Sequence, residues 1–79
     1  MKYVMIYGYL PIVFTEAMQH VSFKKMGNIT SAGFCDVVHP HDGIRGWVQV
    51  YGVSVSLGMM IPGPQDAIIL TQMLIKNKS

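Results

Sequence analysis

The stretch YGVSVSLGMMIPGPQDAIIL, residues 51–70, decides the predicted fold because it contains the end of a strand and the start of a helix. Valines and serines alternate over residues 53–57, as in a strand with one small polar face. The Pro-Gly-Pro of residues 62–64 then ends the strand region. Pro64 suits the first position of a helix, which is predicted to run to about Asn77.

The strand that leads into this stretch is predicted to begin at Ile44 and end at Leu57. It carries two aliphatic sets of opposite parity, Val48 and Val50 in the first set and Val53, Val55 and Leu57 in the second. A bulge at Tyr51-Gly52 brings both sets onto the core face, because one extra residue reverses the parity. The other face then carries a mixed aromatic and polar set, namely Trp47, Gln49, Tyr51, Ser54 and Ser56.

Three further elements, two strands and a helix, are predicted before residue 30. Lys2–Tyr7 and Leu10–Phe14 are β-rich runs joined around Gly8, which predicts a tight hairpin. Pro11 has no N–H to donate, so its strand is expected to lie at a sheet edge. A helix with one apolar face is predicted over residues 16–26, because apolar side chains recur there at helical spacing.

A strand over residues 31–38 and a turn over residues 39–43 complete the element order ββαββα. We expect a single domain over residues 1–79 with an α+β fold, in which two helices pack on one face of a mainly antiparallel sheet. The last helix is apolar around most of its circumference, so one sheet face is not enough to cover it.

The composition favours a homo-oligomer in the cytoplasm. Apolar residues make up 51% of the chain and charged residues only 13%, against about 25% in an ordinary domain. The single Cys35 excludes an internal disulfide, so association with a second copy is the remaining common aid to a small domain. No membrane span or signal peptide is expected, and the dispersed basic residues make nucleic-acid binding an unfavoured function.

The face with Trp47 and Tyr51 is the candidate binding surface, because aromatic rings stack well on nucleotide bases. Arg45 would bind phosphate through its guanidinium fork. Serine hydroxyls and one histidine would supply hydrogen bonds, which gives the candidate ligand-binding set His20, Ser31, Arg45, Trp47, Tyr51, Ser54 and Ser56. The same surface is equally consistent with an oligomer interface.

None of the candidate catalytic or metal-binding motifs is convincing, so we expect a non-catalytic protein without a cofactor or metal. Cys35 lies in the middle of a predicted strand, away from the activating environment that a nucleophilic thiol needs. His39 and His41 flank a proline at a turn, which makes a poor closed metal site. A small enzyme that uses His20 or Cys35 remains the alternative.

Four segments carry a resemblance to a group of small proteins from bacteriophages and prophages: LPIVF (10–14), SAGF (31–34), YGVSVSL (51–57) and PQD (64–66). The chain resembles these uncharacterised proteins in pattern, although they tend to carry an arginine where this chain has Gly63. The resemblance implies a mobile-element protein of a bacterial host and no particular chemistry. Because small phage proteins are often counter-defence factors, we expect a protein that sequesters a nucleotide-derived signal or, alternatively, inhibits a host defence complex by protein–protein contact, in an anti-CRISPR-like manner.

Overall fold

Four antiparallel strands form the central sheet in the computed structural model, which describes residues 1–39 and 46–76. The strands lie in the spatial order β2-β1-β3-β4 and have the bounds β1 Lys2–Ile6, β2 Leu10–Phe14, β3 Ile29–Val38 and β4 Trp47–Tyr51. This arrangement confirms the predicted α+β fold with its antiparallel sheet.

The hairpin of β1 and β2 is confirmed and turns at residues 7–9. Tyr7 and Gly8 both have positive φ, at 55° and 80°, and the Tyr9 N–H donates to the Ile6 carbonyl oxygen at 3.2 Å. β2 is an edge strand, which confirms the expectation from Pro11.

Two helical regions flank the sheet, as predicted, but both are shorter. The first is a 3-10 helix, η1, at His20–Met26, and the second is an α-helix, α1, at Asp66–Thr71 that continues as a π-helical turn over Gln72–Lys76. Side chains three residues apart eclipse in a 3-10 helix, so His20 and Phe23 both point at the sheet. No helix within the described ranges is long and apolar enough to cross a membrane.

The sheet is covered on both faces, with α1 on one and η1 on the other. The buried side chains of the α1 face are Tyr3, Met5, Cys35, Val48 and Leu70. Those of the η1 face are Val4, Ile6, Phe14 and Ala32, with Phe23 and Leu57 packed against them. The two helices are therefore distributed over both faces and do not share one. β1 is the physical reason, because its residues 3–6 are all at most 1% exposed and need cover on both sides.

The predicted continuation of the last strand through a bulge at Tyr51-Gly52 is wrong. β4 ends at Tyr51, and Gly52 takes a positive φ of 79° that turns the chain away from the sheet. A Cβ on Gly52 would lie 2.6 Å from the Phe34 ring, so this turn requires glycine. Val55, expected in the core, is 72% exposed.

After Gly52 the chain forms a compact excursion and returns to the sheet edge. Ser54 bridges to Met60 through backbone hydrogen bonds, and a short 3-10 helix, η2, spans Val55–Leu57 between them. The Ile61 carbonyl oxygen then accepts a hydrogen bond from the Ala32 N–H at 3.3 Å. The returning segment thus occupies the position beside β3 that β4 leaves free.

Candidate functional site

A half-open cleft of about 450 Å³ lies on the η1 face, between β1, η1 and the excursion after β4. Its volume falls in the range of roughly 300–1,000 Å³ that small-ligand sites occupy. The lining combines a cation, aromatic rings and polar groups, and consists of Lys2, Gln19, His20, Phe34, Val53, Val55 and Ser56. Two of the predicted ligand residues, His20 and Ser56, therefore lie together, whereas Lys2, Gln19 and Phe34 were not predicted.

Lys2 places a positive charge over an aromatic ring of this cleft. Its Nζ lies 5.8 Å from the centroid of the Phe34 ring and donates a hydrogen bond to the Met18 carbonyl oxygen at 3.0 Å. Lys2 and Phe34 are cross-strand partners in the pairing of β1 with β3, which explains why they meet. An ammonium group has three N–H donors, so donors remain for an anionic ligand.

His20 forms a fixed wall of the cleft. Its Nε2–H donates to the Gly33 carbonyl oxygen at 2.8 Å, and the side chain is only 3% exposed. The imidazole ring packs edge-on against Phe14 and Phe34, with centroid distances of 5.4 and 5.7 Å. In the neutral ring, a donating Nε2 leaves Nδ1 as an acceptor. These contacts give His20 the role of anchoring η1 to β3 and lining the cleft.

Tyr51 extends the aromatic surface beside the cleft. Its ring stacks on Phe34 with a centroid distance of 5.8 Å and an interplanar angle of 20°. The Tyr51 hydroxyl donates to Asp36 Oδ2 at 2.9 Å, and this hydrogen bond raises the pKa of the Tyr51 phenol. Because Tyr51 is 44% exposed, the pair presents flat apolar area to solvent.

Trp47 lies apart from this cleft, next to α1. It lines a shallow pocket of about 260 Å³ together with Ala67, Ile68 and Thr71. Thr71 fixes α1 on the sheet edge here, because its Oγ1 accepts a hydrogen bond from the Val48 N–H at 2.8 Å. Arg45, the predicted phosphate ligand, lies outside the described residues.

The two remaining predicted serines are both buried but in different environments. Ser54 is 1% exposed, and its Oγ has no hydrogen-bond partner within residues 1–39 and 46–76. Ser31 lies on the α1 face and donates to Asp66 Oδ2 at 2.6 Å. Neither serine lines the cleft around Lys2.

The Asp66 cluster on the α1 face was not predicted from the sequence. Asp66 is 3% exposed, and its Oδ2 also accepts the Tyr3 hydroxyl at 2.6 Å and the Gly63 N–H at 2.8 Å. Burial, followed by the hydrogen bond to Asp66, raises the pKa of Tyr3 well above its ordinary value. A Cβ on Gly63 would lie 3.1 Å from Asp66 Oδ1 and 3.2 Å from the Ser31 Oγ. The cluster therefore fixes the segment before α1 to β1 and β3.

Cys35 and His20 do not meet. Cys35 is fully buried on the α1 face, where burial raises the pKa of its thiol, whereas His20 lies on the η1 face. The described part of the chain has no group of three His, Cys, Asp or Glu side chains placed to hold a metal ion.

Comparison of the chain with protein-family models, with curated proteins and with solved structures finds no match. The cleft around Lys2 and the Asp66 cluster differ in their suitability for binding a ligand. The cleft combines open volume with unused donors, as a ligand site requires. The cluster directs three donors at a single buried oxygen, as a structural hydrogen-bond network requires.

Proposed function

We propose that the protein binds a small nucleotide-derived ligand, without transforming it, in the cleft between Lys2, Phe34 and Ser56. The observation that carries the proposal is the Lys2 ammonium 5.8 Å from the Phe34 ring centroid in a half-open cleft. A nucleotide joins a phosphate, which lysine binds as a point charge, to a planar base, which stacks on aromatic side chains.

Each group of the cleft has a role in this proposal. Lys2 contacts the phosphate with the donors that the Met18 carbonyl leaves free. The exposed parts of the Phe34 and Tyr51 rings contact the base, for which stacking contributes about 1–3 kcal/mol. Ser56 Oγ accepts the Val21 N–H at 3.3 Å and retains its own hydrogen to donate to the ligand.

The biological role that we propose is counter-defence in the cytoplasm of a bacterial host. It is supported by the resemblance to phage proteins and by a cleft suited to nucleotide binding. A protein that holds a nucleotide signal lowers its free concentration, so a defence system that depends on the signal is not activated. Sequestration requires only binding, so the protein needs no catalytic group for this role.

The test measures both binding and chemical fate. The protein is incubated with 5′-AMP, 5′-GMP, 5′-CMP and 5′-UMP, separated from free nucleotide, heat-denatured, and the released material is identified by chromatography. Intact release is expected. Lys2→Gln should weaken binding about tenfold, equivalent to ~1.4 kcal/mol. Lys25→Gln is the matched control, since Lys25 is an exposed lysine outside the cleft.

The other outcomes of this test contradict the proposal. An altered product indicates an enzyme, and the absence of binding by mononucleotides and dinucleotides alike favours the inhibitor of a host defence complex. An inhibitor is the second candidate because apolar side chains beside the cleft are exposed: Val55 is 72% exposed, and Met59 and Ile61 are each 60% exposed. Exposed apolar groups of this size are typical of protein interaction surfaces.

We also propose that the protein associates with itself through Trp47 and Ile68. These side chains are 45% and 55% exposed and border the same shallow pocket beside α1. Light scattering should give a mass of at least two chains for the unmodified protein. Ile68→Lys should give folded monomers with a lower melting temperature, because association stabilises the folded chain, whereas Met59→Lys, at an exposed position outside this pocket, should keep the oligomer.

A further inference from the structure

A second cleft of about 490 Å³ adjoins the first on the η1 face. It lies between η1 and η2 and is lined by Lys24, Gly27, Asn28, Ile29, Ser56, Leu57, Gly58 and Met60. Ser56 lines both clefts, so the two clefts are adjacent on either side of its side chain. The second cleft shares a lysine, a polar amide and apolar contact area with the first, but the aromatic rings belong to the first cleft alone among the described residues.

Ser56 is held at the junction of the two clefts. It lies in η2, and its Oγ accepts the Val21 N–H of η1 at 3.3 Å. This contact orients the serine while its hydroxyl hydrogen stays available as a donor. A ligand that extended from one cleft into the other would pass this hydroxyl.

Among the described residues, the charges that line the two clefts are positive. Lys2 lies in the first cleft and Lys24 in the second, and none of the described residues in either lining is a carboxylate. Asp36, which lies on the same side of the sheet, lines neither cleft and accepts the Tyr51 hydroxyl. A ligand with two separated anionic groups is therefore complementary to this surface.

From this arrangement we infer that the ligand is a dinucleotide that spans both clefts, with one phosphate near Lys2 and the other near Lys24. The inference rests on the proposed function and specifies its ligand. Phe34 contacts one base, and the adaptable side chain of Met60, next to Leu57, contacts the other. Ser56, between the two lysines, donates to a sugar hydroxyl of the ligand.

The experiment compares matched nucleotides by calorimetric titration. The probes are 5′-AMP, 5′-GMP, 5′-CMP and 5′-UMP, their 5′-phosphorylated dinucleotides pApA, pGpG, pCpC and pUpU, and ApA without the 5′ phosphate. The best dinucleotide should bind at least tenfold more tightly than its mononucleotide. ApA should lose most of the advantage of pApA, because it lacks the second anionic group.

Substitutions of two lysines test whether the tighter binding of the dinucleotide comes from the second cleft. Lys24→Gln should lower the dinucleotide affinity about tenfold, to the level of the mononucleotide. Lys25→Gln removes the same charge from the neighbouring position of η1 and should leave the dinucleotide affinity unchanged. Both lysines are exposed, so both variants are expected to fold, and circular dichroism verifies this.

Two results overturn the inference, and they are distinguishable. If mononucleotides and dinucleotides bind equally and Lys24→Gln changes neither affinity, the second cleft holds no part of the ligand, and the proposed function still stands. If none of the nine probes binds, the proposed function fails and the dinucleotide inference fails with it.

Discussion

The two faces of the sheet are covered by different kinds of helix, and the difference decides which face has room for a ligand. On the α1 face, a regular helix covers the strands, and the buried Asp66 oxygen receives hydrogen bonds from Tyr3, Ser31 and Gly63. On the η1 face, two short 3-10 helices leave two clefts, and Lys2 donates one hydrogen bond among residues 1–39 and 46–76, to the Met18 carbonyl oxygen. The contrast separates a face that stabilises the fold from a face that is available for binding.

The largest effect is expected for Asp66→Ala, because it leaves two buried hydroxyls and one partly buried N–H without their acceptor. Each unsatisfied buried group costs about 1–3 kcal/mol, and we expect the free energy of unfolding to fall by roughly 3–5 kcal/mol in urea titrations. Asp66→Asn retains one acceptor oxygen and should lose less. Equal and small losses for both variants would show that the cluster does not stabilise the α1 face.

The second prediction compares two valines that the sequence pattern places together on the core face of one strand. Val48 is 1% exposed on the α1 face, whereas Val55 is 72% exposed in η2. Val48→Ala should lower the free energy of unfolding by about 2 kcal/mol, because it leaves a cavity in the core. Val55→Ala should change it by less than about 0.5 kcal/mol. Comparable losses in thermal melts would contradict the end of β4 at Tyr51.

The third prediction compares two buried serines. Ser31→Ala removes a hydrogen bond to a carboxylate and should cost about 1.5 kcal/mol. Ser54→Ala removes a buried hydroxyl that has no partner within the described ranges, so the protein should keep or gain stability. If Ser54→Ala lowers the free energy of unfolding more than Ser31→Ala in chemical denaturation, the Ser54 hydroxyl is the more stabilising of the two, which contradicts this prediction.

The fourth prediction concerns alkaline pH. The folded-state pKa of Tyr3 is raised above its ordinary value of 10.0, so the unfolded chain loses this proton first as the pH rises. The stability that Tyr3 contributes is therefore complete below pH 10 and should fall above it, by about 1.4 kcal/mol per pH unit. Tyr3→Phe should remove this part of the slope between pH 10 and 11. An identical slope in Tyr3→Phe would refute the effect.

Local patterns predicted most of the fold. The hairpin, the edge position of β2 and the helical character of both flanking regions follow from turn residues, Pro11 and apolar spacing. The end of β4 did not follow, because the valine–serine alternation over residues 53–57 satisfies the strand period equally well. The deciding contact is between Gly52 and the Phe34 ring, and a local pattern does not contain it.

The candidate site was predictable only in part for a similar reason. His20 and Ser56 were predicted and lie in the same cleft. Lys2 and Phe34 belong to it because β1 pairs with β3 in one register, and that pairing includes a register shift between Met5 and Ile6. Single-sequence patterns do not specify such a shift, so the pair that carries the proposed function was missed.

The central claim, that the η1 face binds and the α1 face stabilises, is tested most directly by an amide NMR titration with the nucleotide that binds best. We expect concentration-dependent shifts of the amide signals of Lys2, Phe34 and Ser56 and unchanged amide signals for Val48 and Leu70. Shifts confined to Val48 and Leu70, or no shifts at millimolar nucleotide, would contradict it.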